Sequence, residues 1–233
     1  MYLVFGVYLT LCIFLLLIVY KILKRNPKNR LNQLFSLFYL SLFISVLLNC
    51  IYITFSDPSL QSLASLLNVI AFFIACLAAG FLSLCILLLY KPLKMTKTKN
   101  QVIFILIYGC ILSVLFFIPD GSKIVILSSG LQLSPVWNFM FFAYSLTIFI
   151  ILLIISLLIS TKVYKQIQDE ILAKRFKFFI IGIFIFYYIP IGVTITNYLD
   201  NPLMRLLFAM TATIIFVGAI FIYYGIGTKL EEI

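Results

Sequence analysis

The residues that could do chemistry in this 233-residue chain are defined first by what is missing. There is no histidine, so neither Ser–His nor Cys–His nucleophile pairs nor imidazole metal sites can be assembled. All seven Asp and Glu lie outside the long apolar stretches, which removes an intramembrane carboxyl dyad and a carboxylate proton relay. Cys12, Cys50, Cys76, Cys85 and Cys110 form no Cys-x-x-Cys pair and read as small apolar packing residues. No lysine interrupts the last apolar stretch, as a retinal Schiff base requires. The third stretch ends Leu89-Tyr90-Lys91-Pro92 rather than Asp-Arg-Tyr. Neither enzymatic activity nor a cofactor or metal is expected. What remains is a set of amides, hydroxyls and aromatic groups: Asn49, Asn68, Trp137, Asn138, Tyr144, Tyr187, Asn197 and Thr211. Such groups beneath a lid suit a small uncharged or amphipathic ligand. The same residues can instead bridge helices for about 0.6–2 kcal/mol each, or belong to an interfacial aromatic belt.

The elements that must hold these residues follow from composition. Hydrophobic residues make up 64% of the chain and charged ones 10%, against about 25% charged in a soluble domain. Stretches 1–20, 31–56, 58–90, 100–119, 124–161, 178–199 and 206–228 carry no Asp, Glu, Lys or Arg. Each reaches the roughly 20 residues that cross a bilayer as a helix, and none shows the short alternation of a β-barrel strand. The expectation is an all-α, seven-helix transmembrane bundle. Its helices fall near 2–21, 34–55, 61–90, 101–118, 135–160, 178–198 and 205–227, in a single domain with nothing of size attached. The first stretch lacks the flanks of a cleaved signal peptide.

Lysine and arginine crowd alternate gaps: 21–30, 91–99, 162–177 and Lys229. The other gaps hold only Lys123 and Arg205, beside Asp57, Asp120 and Asp200. Basic short loops stay cytoplasmic, which predicts an external N-terminus, a cytoplasmic C-terminus and a cell-membrane location. The net charge of +10 is thereby assigned to topology and anionic lipid, and no nucleic-acid partner is expected.

Several local features carry further expectations. Asp57 and Asp200 read as caps for helices 3 and 7, next to Pro58 and Pro202. Residues 119–134 read as a short β-hairpin in the outer helix 4–5 loop, with Pro135 starting helix 5. Residues 162–177 read as a polar continuation of helix 5, with Glu170 and Lys174 paired at i, i+4. Ala71, Ala75, Ala79 and Ser83 form a small-residue stripe on helix 3, which fits a central buried strut or a homodimer face. Pro190 interrupts helix 6 as a hinge or a fixed kink. Helices 1–3 and 5–7 also resemble two parallel three-helix units, each with an Asp/Pro turn, around an inverting helix 4.

One arrangement resembles the seven-helix N-terminal sensor region of bacterial and archaeal histidine kinases. The similarity rests on the external N-terminus and on the basic turn Lys24-Arg25-Asn26-Pro27-Lys28-Asn29-Arg30. Further points are Pro135-x-Trp137, Lys174-Arg175-x-Lys177 ahead of Gly182, and the ending Tyr223-Tyr224-Gly225-Ile226-Gly227. The resemblance implies a bundle that senses a signal in or near the membrane and passes it down helix 7. The phosphoacceptor histidine and nucleotide-binding module of that family are absent from the sequence, so it implies a sensor acting through a cytoplasmic signalling partner. A facilitative transporter of 3+1+3 helices and a structural or lipid-binding protein are the alternatives.

Overall fold

The computed structural model describes residues 2–55, 58–92, 97–126 and 133–226. Among them are seven helical spans long and apolar enough to cross a membrane. The elements in order are α1 (Tyr2–Arg25), α2 (Arg30–Ile53), α3 (Gln61–Tyr90), α4 (Thr98–Ser113), β1 (Ser122–Ile126), β2 (Leu133–Trp137), α5 (Phe139–Gln166), α6 (Glu170–Leu199), α7 (Pro202–Ala212) and α8 (Ile215–Ile226). Short 3-10 turns at Pro58–Leu60 and Val114–Phe117 precede α3 and follow α4.

Helix ends differ from the sequence expectation wherever a capping side chain moves the boundary. The first helix runs to Arg25, four residues past 21, because Lys and Arg are good helix formers that complement the C-terminal dipole. It stops before Asn26-Pro27, as the pre-proline restriction demands. The second begins at Arg30 rather than 34, since the Asn29 side chain accepts from the N–H groups of Leu31 (2.9 Å) and Asn32 (3.3 Å). Its α-helical end is Ile53 rather than 55. Helix 4 starts at Thr98 instead of 101 and tightens to a 3-10 turn after Ser113. There Ile118, held extended before Pro119, ends it.

Pro135 does not start a helix. It sits in β2 opposite Ile124, in an antiparallel register that runs from Ser122↔Trp137 to Ile126↔Leu133. A two-stranded sheet has only edges, where a residue lacking N–H is tolerated. The fifth helix starts at Phe139, capped by Asn138, whose Oδ1 accepts from Phe141 N–H at 2.8 Å. The turn between the strands, 127–132, lies outside the described residues.

The polar stretch 162–177 is not one continuation of helix 5. That helix ends at Gln166 rather than 160, and Asp169 caps a new one by accepting from Leu172 N–H at 2.8 Å. The sixth helix therefore starts at Glu170, not 178. Glu170 and Lys174 do not pair: ion pairs among the described residues are Lys123–Asp120 (3.2 Å) and Arg205–Asp200 (2.9 Å).

Asp200 is not the cap of the last span either. It closes α6 in the left-handed region (φ 47°), while Asn201 caps α7 by accepting from Leu203 (2.9 Å) and Met204 (3.2 Å). Pro202 opens that helix, so it starts three residues before 205. The expected single helix 205–227 is divided at Thr213–Ile214 into α7 and α8. The capping role expected of Asp57 falls outside the described residues, as do Lys229 and Gly227.

α3 is the centre of the bundle, packed against α2, α4, α5 and β1. Ala71, Ala79 and Ser83 are buried and Ala75 is half-buried. The ring of Tyr108 on α4 lies where a Cβ on Gly80 would stand, 2.5 Å from its Cδ1, and its hydroxyl donates to the Cys76 carbonyl at 2.8 Å. An aromatic column of Phe38, Phe186 and Tyr187 joins α2 to α6, with successive ring centroids 5.1 Å apart. Tyr39 on α2 donates to the Ala219 carbonyl of α8 at 2.8 Å.

Glycine sets the α6–α8 contact. A Cβ on Gly225 would stand 2.8 Å from the Phe179 backbone nitrogen, and one on Gly182 would stand 2.9 Å from that of Ile222. Backbones that approach so closely are a mark of association in lipid, where no hydrophobic force drives helices together. The outside of the bundle is correspondingly oily: Ile13, Leu17, Leu106, Ile107, Leu158 and Leu206 are all more than half exposed. Four of the five cysteines are buried, as packing residues are, but Cys110 is exposed on the outside of α4.

Candidate functional site

The two ends of the bundle differ in chemistry. One carries the strand pair with Asp120 and Asp200; the other carries the basic turns. At the strand end, polar side chains from three elements, α2, β1 and β2, converge on Asn68 of α3. Its Oδ1 accepts from Ser122 Oγ (2.8 Å) and from the Trp137 indole N–H (3.3 Å). Its Nδ2 donates to the Tyr52 hydroxyl at 3.1 Å. The Trp137 ring meets Phe72 and Phe141 edge-on at 4.6 and 4.8 Å, and the Ile124 N–H donates to Ser65 Oγ at 3.1 Å. The bonds to Asn68 are buried, where water cannot take their place, whereas the Ser65 bond is only partly so. Asn68 thus fastens the strand pair onto α2 and α3.

Beside this clamp lies a second polar group that is less complete. Arg205 on α7 donates through Nη2 to the Pro135 carbonyl (2.7 Å) and to Asp200 Oδ1 (2.9 Å). Its Nε is buried without a partner. Asn197, two residues before the end of α6, is 8% exposed and makes no side-chain hydrogen bond among the described residues, though its amide atoms, unlike Arg205 Nε, keep some access to the surface. Tyr52 lies within electrostatic reach of Arg205.

The remaining sequence candidates lie elsewhere. Asn49 donates to the Ser45 carbonyl of its own helix at 2.9 Å. Asn138 caps α5 and donates to the Pro119 carbonyl at 2.9 Å. Tyr144 bonds the Ile111 carbonyl and ties α5 to α4. Tyr187 is fully buried in mid-bundle, where its hydroxyl, Ser156 and Ser83 form a chain with 3.3 Å links across α6, α5 and α3. Thr211 bonds Tyr188 on an exposed face between α7 and α6. Pro190 is inside α6, and Thr194 Oγ donates to its carbonyl at 2.7 Å. Of the eight candidate ligand residues, Asn68 and Trp137 are brought into hydrogen-bond contact with each other; Asn197 alone is buried with an unused amide.

Sequence reasoning passed over Tyr52, Ser65, Ser122, Ser156 and Arg205. Arg205 had a signal: it is one of only two basic residues in the acidic gaps. The serines had none, because an isolated Ser in an apolar run carries no periodicity.

A void of about 10 Å³ lies among Leu15, Phe38, Leu42, Phe186 and the α8 residues Ile215, Gly218, Ala219 and Ile222. Its lining is apolar, and it has no room for a solute. A larger cleft of about 540 Å³ opens at the basic end, between the end of α5 and the start of α6. No group of three or more His, Cys, Asp or Glu that could hold a metal is found among the described residues. No protein-family model matches this chain, and no curated protein matches it at a significant level of sequence similarity.

Proposed function

We propose that this chain is a non-enzymatic seven-span sensor of the cell membrane, akin to the sensor regions of prokaryotic histidine kinases. In this reading the strand end faces outward, the basic end faces the cytoplasm, and a cytoplasmic partner receives the signal. A small amphipathic ligand with a hydrogen-bonding or anionic head is held at the strand end between α6 and α7. The observation that carries the reading is Arg205 Nε, a buried donor without a partner; Asn197, near the end of the preceding helix α6, adds a side-chain amide that makes no hydrogen bond among the described residues. A buried polar atom without a partner costs about 1–3 kcal/mol, and a ligand supplying an acceptor recovers that.

The last span supports a signalling role. α7 buries none of its residues, is divided from α8 at Thr213–Ile214, and rests on α6 chiefly through Phe208 against Gly192 and Thr211 against Tyr188. α8, by contrast, is locked to α6 by glycine contacts. A ligand that draws Arg205 toward Asn197 therefore moves a loosely held half-helix whose continuation runs to the basic end. The transporter reading draws less support. Two equivalent three-helix units would share their interruptions, yet α3 runs unbroken through its span while α6 carries Pro190 and the last span is divided.

A thermal-shift screen of purified protein against amphiphiles and metabolites, followed by Trp137 fluorescence, tests the proposal. Stabilisation that is lost in Asn197→Leu and Arg205→Met supports it. Substrate flux in proteoliposomes would transfer the reading to a transporter. Cysteine labelling of intact cells tests the orientation: Lys123→Cys reacts from outside and Lys165→Cys does not, whereas the reverse pattern inverts the topology.

A further inference from the structure

The 540 Å³ cleft at the basic end is lined by Tyr164 of α5 and by Glu170, Ala173, Lys174, Lys177, Phe178 and Ile181 of α6. Its size is that of a small-molecule site, about 300–1,000 Å³. Its chemistry is graded along the helix. Glu170 and the two lysines occupy the first two turns, while Phe178 and the half-exposed Ile181 lie below them. From Glu170 to Ile181 the helix rises about 16 Å, close to the roughly 15 Å of one hydrocarbon leaflet. Neither lysine has a carboxylate partner among the described residues, since the ion pairs there involve Lys123 and Arg205. Lys177 Nζ lies 5.7 Å from the Tyr164 ring centroid, a cation–π contact that holds the side chain over the cleft wall. Arg175, on the same turn, is turned instead over the Tyr224 ring of α8 at 5.6 Å.

We infer that this cleft is a binding site for one anionic phospholipid with a hydroxyl-bearing headgroup, such as phosphatidylglycerol. Two lysines and one glutamate leave a net charge of +1, which a phosphodiester of charge −1 neutralises. The lysine ammonium groups and the Tyr164 hydroxyl donate to the phosphate oxygens. The Glu170 carboxylate would repel the phosphate but accepts hydrogen bonds from headgroup hydroxyls. An acyl chain follows Phe178 and Ile181 into the hydrocarbon. A choline headgroup supplies neither the net charge nor a hydroxyl. The site is independent of the ligand proposed at the strand end.

Native mass spectrometry of the full chain, taken from nanodiscs of equimolar phosphatidylglycerol and phosphatidylcholine, tests this. At about 1 kcal/mol per lysine near the membrane surface, the wild type retains phosphatidylglycerol about 30-fold over phosphatidylcholine. Lys174→Gln/Lys177→Gln brings the ratio near parity, while Lys162→Gln/Lys165→Gln, which removes the same charge outside the cleft, leaves it within about twofold. Equal retention of the two lipids by the wild type, or an equal loss in both double variants, overturns the site in favour of a diffuse basic surface. Release of the lipid by inorganic phosphate alone shows that a free anion is the occupant and overturns it too. Ile181→Trp keeps every charge and fills the apolar floor. It lowers phosphatidylglycerol retention about fourfold, the worth of one displaced methylene, and unchanged retention there also refutes the assignment.

Discussion

A single substitution, glycine to alanine, has opposite consequences at different places in this bundle, and the contrast tests the account of how α6 holds α8. At Gly109 an added Cβ meets nothing within 4 Å. Alanine there only gains helix propensity, about 1 kcal/mol. At Gly225 the same carbon would stand 2.5 Å from Phe179 Cβ, 2.8 Å from its nitrogen and 2.9 Å from its Cα. None of these atoms is the end of a flexible side chain, so the helices themselves must part by roughly 0.5–1 Å. A gap of that size forfeits about a quarter to a half of each contact's 0.1–0.2 kcal/mol. Over a seam of roughly 40 atom pairs this is about 1–4 kcal/mol, a range that contains the ~1–3 kcal/mol typical of overpacking. Gly182→Ala, which meets the Ile222 nitrogen at 2.9 Å and the Gly218 carbonyl at 3.0 Å, belongs with Gly225. Gly80→Ala meets the Tyr108 ring at 2.5 Å, and because that buried ring is held by its bond to the Cys76 carbonyl, it should cost a similar amount. The assay is denaturant-driven unfolding in mixed micelles, read by circular dichroism. Gly225→Ala should fall at least about 1 kcal/mol below Gly109→Ala. Equal stability of the two variants would refute the claim that backbone contact sets the α6–α8 distance.

Three further outcomes follow from single contacts. Asn68→Leu strips partners from Trp137, Ser122 and Tyr52 at once, and should cost about 1–3 kcal/mol. Because Trp137 is the sole tryptophan, its emission should shift in the same variant, and an unmoved spectrum would argue against the clamp. Asn201→Ala removes the cap of α7 and should lower stability by about 1 kcal/mol; Asp169→Ala should do the same for α6, with no change in either counting against the assigned helix starts. Gly192→Ala drives a Cβ into the Phe208 ring, and should free α7 while sparing the rest of the bundle. Faster proteolysis or hydrogen exchange across 202–212, with the exchange of α8 unchanged, is the expected signature. Matching changes in α7 and α8 would mean that the break at Thr213–Ile214 does not uncouple them.

What was legible in the sequence was whatever the solvent dictates. A bilayer admits only long apolar helices or closed β-barrels, and without barrel alternation the seven stretches could be read directly from the distribution of Lys, Arg, Asp and Glu. Helix ends were harder, because each is decided by a few hydrogen bonds worth about 1 kcal/mol. Asn29, Asn138, Asp169 and Asn201 all had capping chemistry in plain view, yet composition alone cannot say which of several Asn and Asp residues wins. At 200–201 the neighbours divided the work, one ending α6 and the other starting α7. The amides were found by type but not by use. Asn49, Asn68 and Asn197 are the same residue in similar apolar runs, and only the packed structure separates one bonded to its own helix, one saturated by three partners and one left open. The glycines teach the opposite lesson. Gly182, Gly218 and Gly225 carry no apolar side chain to bury, but in lipid a missing Cβ is itself the attractive feature. The open amide and the glycine lock bear on one another, for α6 carries both. Its strand end offers Asn197 to the loosely seated α7, and its basic end grips α8 through backbone contact. On the proposed sensor function, a signal arriving at Asn197 would meet resistance only past Thr213, and a hinge at that break would be where a small displacement at one end becomes a change of angle at the other.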